Sequence, residues 1–319
     1  MTTASTGGMP GFTVSSSGVL IVDRPPPILN QLAWVDRTGR TLETVGPRAA
    51  INVFALAPDE RRVVAQVVDS DSLKRDLWLF DGGREDATRL TYDGAVKLRP
   101  FWALDGRHIY FTERTPSGLE LRTLTLGASA ATAFDNPGSF VVFDDLTRDG
   151  RYVVLQSATT SQWIWIQRVG NPGERRALVQ GPFRAFQARV SPDSRWLAYT
   201  LALPSGTEIF VQPFDRPGDR IQVSVKGGHG PVWRADGQEL FYEGPAGVMA
   251  VPMSERTGAL DAGAPQTLFS ARTQGLVSTQ PHNVAVAANG QKFLVNTIVG
   301  DSDNAPLEVT LNWTAGLKK

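Results

Sequence analysis

A short phrase recurs along this 319-residue chain: an apolar run, a tight turn centred on Asp-Gly or a close variant, then a second apolar run. The copies are FTVSSSGVLIV (Phe12 to Val22), FALAPDERRVVA, FWALDGRHIYF, DLTRDGRYVVL, RVSPDSRWLAY, VWRADGQELFY and VAVAANGQKFLV (Val284 to Val295). With the turn residue as the mark, Ser17, Asp59, Asp105, Asp149, Asp193, Asp236 and Asn289 are separated by steps of 42, 46, 44, 44, 43 and 53. A period in the forties with two strands flanking each turn points to a β-propeller, whose units bury their faces only against neighbours. Seven marks predict seven blades, and six is the alternative if the first or last unit is accessory.

Each hairpin is followed by a third run of strong β character, among them LAWVD, DLWLF, QWIWIQR and EIFVQPF. A shorter, more polar fourth run comes next, as in TLETV, ATRLT, RALV, RIQVS and QTLFS. Four strands per unit define a propeller blade, and turn residues interrupt every candidate helix, so the chain reads as all-β. Residues 1–11 read as a flexible segment that could supply a closing strand, and residues 12–319 as a single propeller domain. The last unit offers inner strands at His282 to Ala287 and Gln291 to Thr297, with a third at Leu307 to Trp313. It has no fourth strand, so the ring is expected to close between the termini, with Thr2 to Thr6 covering the open edge.

Lys plus Arg and Asp plus Glu both number 32, which argues against nucleic acid or an anionic membrane surface as the partner. The absence of cysteine excludes a disulfide framework and thiolate zinc, and leaves the redox compartment open. Residues 1–11 carry neither a basic n-region nor an apolar run, and no stretch is long enough to span a bilayer. The chain as given is expected to be soluble, and any export signal or anchor would lie upstream of it.

The phrases SPDSRWLAY, FWALDGRHIYF and GHGPVWRADGQELFY resemble the WD40-like repeats of TolB-type propellers. The run from GGHGPVWRADGQELFYEGPAGVMAVPM through GAPQTLFSAR to LEVTLNWTAGLKK is similar to the C-terminal propeller of large bacterial serine/threonine kinases. That resemblance implies an extracytoplasmic sensor or protein-interaction module. The chain itself lacks a Gly-rich ATP loop and the VAIK, HRD and DFG motifs, which excludes phosphoryl transfer. It also lacks a G-x-S-x-G elbow, an H-E-x-x-H pair and a P-loop.

Asp-Gly turn carboxylates ordinarily cap their own backbone, so Asp59, Asp105, Asp149, Asp193 and Asp236 read as structural. Ligands of propellers enter the central channel, and counting back from each mark reaches the start of the innermost strands. Six residues before the mark stand Val53, Arg99, Phe143, Gln187, Gly230 and Asn283; seven before stand Asn52, Leu98, Val142, Phe186, His229 and His282. His229 and His282 share one register in successive units, which predicts neighbours at one channel mouth. There they serve either as loop residues bonded to backbone carbonyls, or as a pair poised as general base or as nitrogen ligands beside Asn52, Gln187 and Asn283. Asn52, Arg99, Gln187 and Asn283 are the candidate ligand-binding residues at that level.

A histidine pair over a central calcium resembles lactonases of the paraoxonase type; against it, calcium calls for carboxylates and this rim offers mainly Asn and Gln, so Asp144 and Asp145 nearby, with Asn283, are the candidate metal ligands. Adjacent strand residues point to opposite faces, so Asp144 and Asp145 are not expected to act as a glycosidase pair. The reading is therefore a module that binds a small molecule, peptide or protein at the channel mouth. The alternative is a calcium-dependent hydrolase of lactones or esters.

Overall fold

The computed structural model describes residues 11–15, 19–23, 29–69, 72, 74–84, 86–134, 141–157, 163–256, 258–270, 283–299 and 307–311. The chain opens with strands β1 (Gly11–Val14), β2 (Val19–Asp23), β3 (Leu29–Asp36) and β4 (Thr41–Ala49). Three four-stranded groups follow: β5 (Ile51–Leu56) to β8 (Ala87–Arg89), β9 (Lys97–Trp102) to β12 (Thr132–Ala133), and β13 (Val141–Leu146) to β16 (Asn171–Val179). Next come β17 (Ala185–Val190) to β20 (Ile221–Gln222), then β21 (His229–Trp233) to β25 (Gln266–Phe269). The last strands are β26 (Val284–Val286), β27 (Lys292–Val299) and β28 (Leu307–Leu311).

These strands form six blades among the described residues, so the count of seven is corrected to the alternative of six. Blades 1 to 4 are the four groups β5–β8, β9–β12, β13–β16 and β17–β20, and blade 5 runs from β21 to β24 (Ala259–Ala262) with β25 also paired to β23 (Gly247–Arg256). Blade 6 is composite: its order is β26-β27-β3-β4, with two inner strands from late in the chain and two outer strands from early in it. LAWVD and TLETV, which the repeat assigns to the Phe12–Val22 unit, are thus the outer strands of blade 6. Leu307–Leu311 is not its third strand, because β28 pairs with β2 instead. The expected closing residues Thr2 to Thr6 lie outside the described residues, as does the first mark, Ser17.

The chain divides into two compact units, residues 1–29 with 299–319, and residues 30–298. In the first, β1, β2 and β28 make a three-stranded antiparallel sheet. The second contains the ring.

Both faces of a blade meet a neighbour, so its middle strands are apolar almost without alternation, as in RVVAQVV (Arg62–Val68) and WLAYTLAL (Trp196–Leu203). Six apolar clusters result, one at each interface between successive blades. The cluster that joins Leu294 of blade 6 to Ile51, Phe54 and Val63 of blade 1 closes the circle.

The turns behave as local chemistry dictates. Asp59 accepts from the backbone N–H of Arg61 and Arg62 at 2.9 and 3.0 Å, Asp105 from those of Arg107 and His108 at 2.8 and 3.0 Å, and Asp149, Asp193, Asp236 and Asn289 do likewise. The residue after each mark, Glu60, Gly106, Gly150, Ser194, Gly237 or Gly290, has φ between 57° and 75°. Glycine takes this left-handed conformation freely, and the side-chain cap stabilises it for the others.

Candidate ligand channel

The innermost strands are interrupted at the level where sequence counting placed the candidate site. Pairing registers shift at Ile51/Val53 of β5, Phe143/Asp145 of β13, Phe186/Arg189 of β17 and His229/Val232 of β21, and on β9 opposite Tyr110/Thr112 in blade 2. Arg99, Gln187 and Gly230, all six residues before their marks, have φ of 50°, 55° and 64°. Each is a β-bulge, which leaves backbone groups without ladder partners and re-aims nearby side chains.

The groups so released are taken up by polar side chains that sequence reasoning did not single out. Seven residues after each mark, in the middle of the second strand, stand Gln66, Thr112, Gln156, Thr200, Glu243 and Asn296. Five of them bond to the backbone of the next blade's innermost strand. Gln66 donates to the Lys97 carbonyl, Thr112 Oγ1 accepts from Phe143 N at 2.9 Å, and Thr200 Oγ1 from Gly230 N at 3.2 Å. Glu243 Oε1 accepts from Asn283 N at 3.1 Å, and Asn296 Nδ2 donates to Ile51 O at 3.2 Å. Gln156 differs, since its Oε1 accepts from Arg99 Nη2 at 2.8 Å. A polar residue recurring seven positions after each mark, inside a largely apolar strand, was the available signal: a buried polar group needs a partner, and the next innermost strand supplies it.

At the strand-start end, blades 4 to 6 bring Gln187, His229 and Asn283 into succession. Gln187 is buried and its Oε1 accepts from Thr200 Oγ1 at 2.9 Å and Gly230 N at 3.0 Å. His229 lies opposite Glu243 in the strand register. Burial lowers the His229 imidazole to about 4, so the ring is neutral and weakly basic at pH 7, and burial raises the Glu243 carboxyl. Asn52 sits apart in blade 1, donating through Nδ2 to Gln66 Oε1 at 2.9 Å. His282, the expected partner of His229, lies outside the described residues.

Arg99, Asp144 and Asp145 serve a different purpose. The Arg99 guanidinium pairs with the Asp144 carboxylate of the adjacent blade, and both are buried. Asp144 Oδ2 also accepts from Ala188 N at 3.1 Å, and Asp145 Oδ2 from Val190 N at 2.7 Å. The bulge at Asp144 therefore lets two consecutive carboxylates address one neighbouring strand, contrary to the expectation of opposite faces. A calcium site needs carboxylate oxygens that are not already held by a guanidinium and amides. These residues do not fit one, and Asn283 stands on blade 6, across the ring from blade 3.

The channel itself contains a cavity of about 340 Å³ to which all six innermost strands contribute. It reaches from the bulge level at Arg99 and Asp144 to the hairpin turns at Pro58, Leu104 and Arg148. Of the expected residues, Arg99 and Asp144 line it, and His229, Asn52, Gln187 and Asn283 do not. A side pocket of about 410 Å³ adjoins it, sharing Phe101, Leu104, Arg148 and Ala235. The cavity wall is mostly apolar, and its two indoles spend their N–H groups on Ala55 O and Arg189 O at 3.0 and 3.2 Å.

No protein-family model matches the sequence, and no curated protein sequence matches it. The fold has clear counterparts among solved structures. A putative TolB from Agrobacterium tumefaciens aligns with a TM-score of 0.66 at 11% identity, over 86% of this chain and 99% of that one. TolB from Acinetobacter baumannii aligns with a TM-score of 0.54 at 17% identity, over 92% of this chain and 65% of that one. A putative 6-phosphogluconolactonase from Bacteroides uniformis gives 0.53 at 13% identity, over 90% and 96%. The chain therefore has a TolB-type β-propeller fold, a class that hosts unrelated functions. No helix among the described residues is long and apolar enough to cross a membrane.

Proposed function

We propose that this protein is a ligand-binding propeller module whose ligand enters the channel from the hairpin end. The observation that carries this reading is the cavity of about 340 Å³ walled by all six blades, with exposed Leu104 and Arg148 at its rim. Its volume lies in the range of small-molecule sites, and a mostly apolar wall with few charged groups is the usual composition of such sites. In a sensor of the kind attached to bacterial kinases, occupancy of this channel would be the sensed event. A thermal-shift screen of small molecules and short peptides tests the proposal, run in parallel on the chain and on Ala235→Trp. Ala235 is half-buried on the cavity wall, so the indole fills space without entering a blade core. Hits should disappear in the variant, and hits that persist undiminished would move binding elsewhere.

A second reading is hydrolysis of a lactone or ester at the strand-start end, favoured by the meeting of His229, Glu243 and Asn283. Turnover of a lactone and ester panel, with and without calcium, lost in His229→Ala, would support it. No turnover by the unaltered chain would dismiss it.

A further inference from the structure

The charged groups of the channel cavity are unequally committed. Three guanidiniums line it, Arg99, Arg148 and Arg189, against two carboxylates, Asp144 and Glu60. Both carboxylates are held by protein. Asp144 is paired with Arg99 and accepts from Ala188 N, and Glu60 Oε1 accepts from Ala288 N at 2.6 Å. Arg148 is exposed and makes no ion pair or hydrogen bond with any described residue. Arg189 directs one nitrogen, Nη1, to the carbonyls of Asp144 and Ala188 and lies in the field of the buried Asp145 carboxylate, while its Nε and Nη2 have no described hydrogen-bond partner. The remaining donors thus belong to two arginines from adjacent blades on one cavity wall. The rest of that wall, including Phe54, Pro100, Val232 and Trp233, is apolar.

We infer that the occupant of this channel is an amphipathic monoanion, a carboxylate on an apolar body, with the carboxylate against Arg148 and Arg189 and the body against the aromatic and aliphatic wall. This rests on the reading of the channel as the binding site and names the chemistry it selects. Guanidinium forks bind carboxylate oxygens through short charge-assisted bonds, and a partly apolar cavity strengthens them. Arg99 has Asp144 and Arg189 has Asp145 beside it, so Arg148 is the one guanidinium of the lining with no carboxylate paired to it, and one negative charge is what it can match. A dianion would face Asp144 and Glu60 with half its charge unmatched, which disfavours a phosphate monoester.

The two arginines also stand out against the repeat. Four residues before the mark, the other blades carry Ala55, Phe101, Asp145, Val232 and Ala285 where blade 4 has Arg189. One residue before it, they carry Pro58, Leu104, Pro192, Ala235 and Ala288 where blade 3 has Arg148. Neither cation is required by the blade geometry that the repeat encodes.

The test is calorimetric titration with 3-phenylpropionate and with 3-phenylpropanamide, its uncharged analogue of the same shape. The chain should bind the acid at least about tenfold more tightly than the amide, a modest return for charge-assisted bonds. Arg148→Gln, at an exposed site, should cut affinity for the acid about tenfold and leave the amide unchanged. The further change Arg189→Gln should bring acid and amide level, with the melting temperature confirming the fold. If that variant does not fold, Arg148→Glu takes its place and should reverse the preference. Equal affinity for acid and amide, no binding of either, or a preference unaltered in Arg148→Gln would overturn the inference. So would displacement of the probe by an equal concentration of inorganic phosphate. Acid and amide bound equally, and both lost in Ala235→Trp, would leave the channel reading standing while this one falls. Binding retained in Ala235→Trp would remove both.

Discussion

Asn296 and Ile51 stand 245 residues apart in sequence, yet Asn296 Nδ2 donates to the Ile51 carbonyl at 3.2 Å in the buried interface between the last blade and the first. The same position in four other blades reaches the next innermost strand, so this is a repeated latch, and here it spans the closure of the ring. Each latch exchanges one buried polar side chain for one backbone group freed at a bulge.

Asn296→Ala removes the side-chain donor to the Ile51 carbonyl. Losing one buried hydrogen bond costs about 0.5–1.5 kcal/mol, so the urea midpoint should fall with little change in slope. A stability equal to that of the unaltered chain would mean that the closure does not use this bond.

The His229 imidazole, held down to about 4 by burial, makes stability pH-dependent in a definite direction. Above about pH 6.5, the ordinary histidine value, the ring is neutral in both folded and unfolded chains and contributes nothing to the pH dependence. As pH falls from there toward 4, the unfolded chain takes up a proton that the folded chain refuses, so stability declines. Glu243 and Asp145, both raised by burial, act in the opposite sense as they protonate. The comparison that isolates the imidazole is therefore His229→Phe against the unaltered chain, with urea midpoints at pH 7.5 and pH 5.0. The variant should lose less stability between the two. Equal losses would show that His229 is protonated alike in both states.

Gly247 has φ of 121°, and a Cβ there would run into the Phe269 carbonyl of the paired strand β25. Gly247→Ala should destabilise by about 2 kcal/mol or more, from strained backbone and displaced pairing. Gly83→Ala is the matched comparison, since Gly83 also has positive φ, at 90°, but nothing within 4 Å of the added carbon. Melting curves should therefore rank Gly247→Ala well below Gly83→Ala, and the reverse order would refute the backbone clash.

What the chain declares locally, it declares reliably. An Asp or Asn that caps its own turn and a left-handed residue beside it are decided within four residues, so Asp59, Asp105, Asp149, Asp193, Asp236 and Asn289 could be assigned from the repeat alone. The four-stranded blade and the all-β class follow from the same period. The level of the bulges was also legible, as the register that picked out Arg99, Gln187 and His229.

Tertiary structure decided the remainder, because each undecided matter depends on which partner wins a competition between distant segments. FTVSSSGVLIV has the pattern of a blade hairpin, but its second strand pairs with Leu307–Leu311, and LAWVD takes the third place in blade 6 instead. Strand pairing is decided by what else is available to bury each face, and no interval of sequence contains that information. The channel followed the same rule. Counting located the ends of the innermost strands, but bulges re-aimed Asp144 and Asp145 into backbone, and the cavity is lined instead by Arg189 beside the bulge and Arg148 at the hairpin turn. Local turn chemistry is written residue by residue; the direction of a side chain at a bulge exists only once the neighbouring blade is in place.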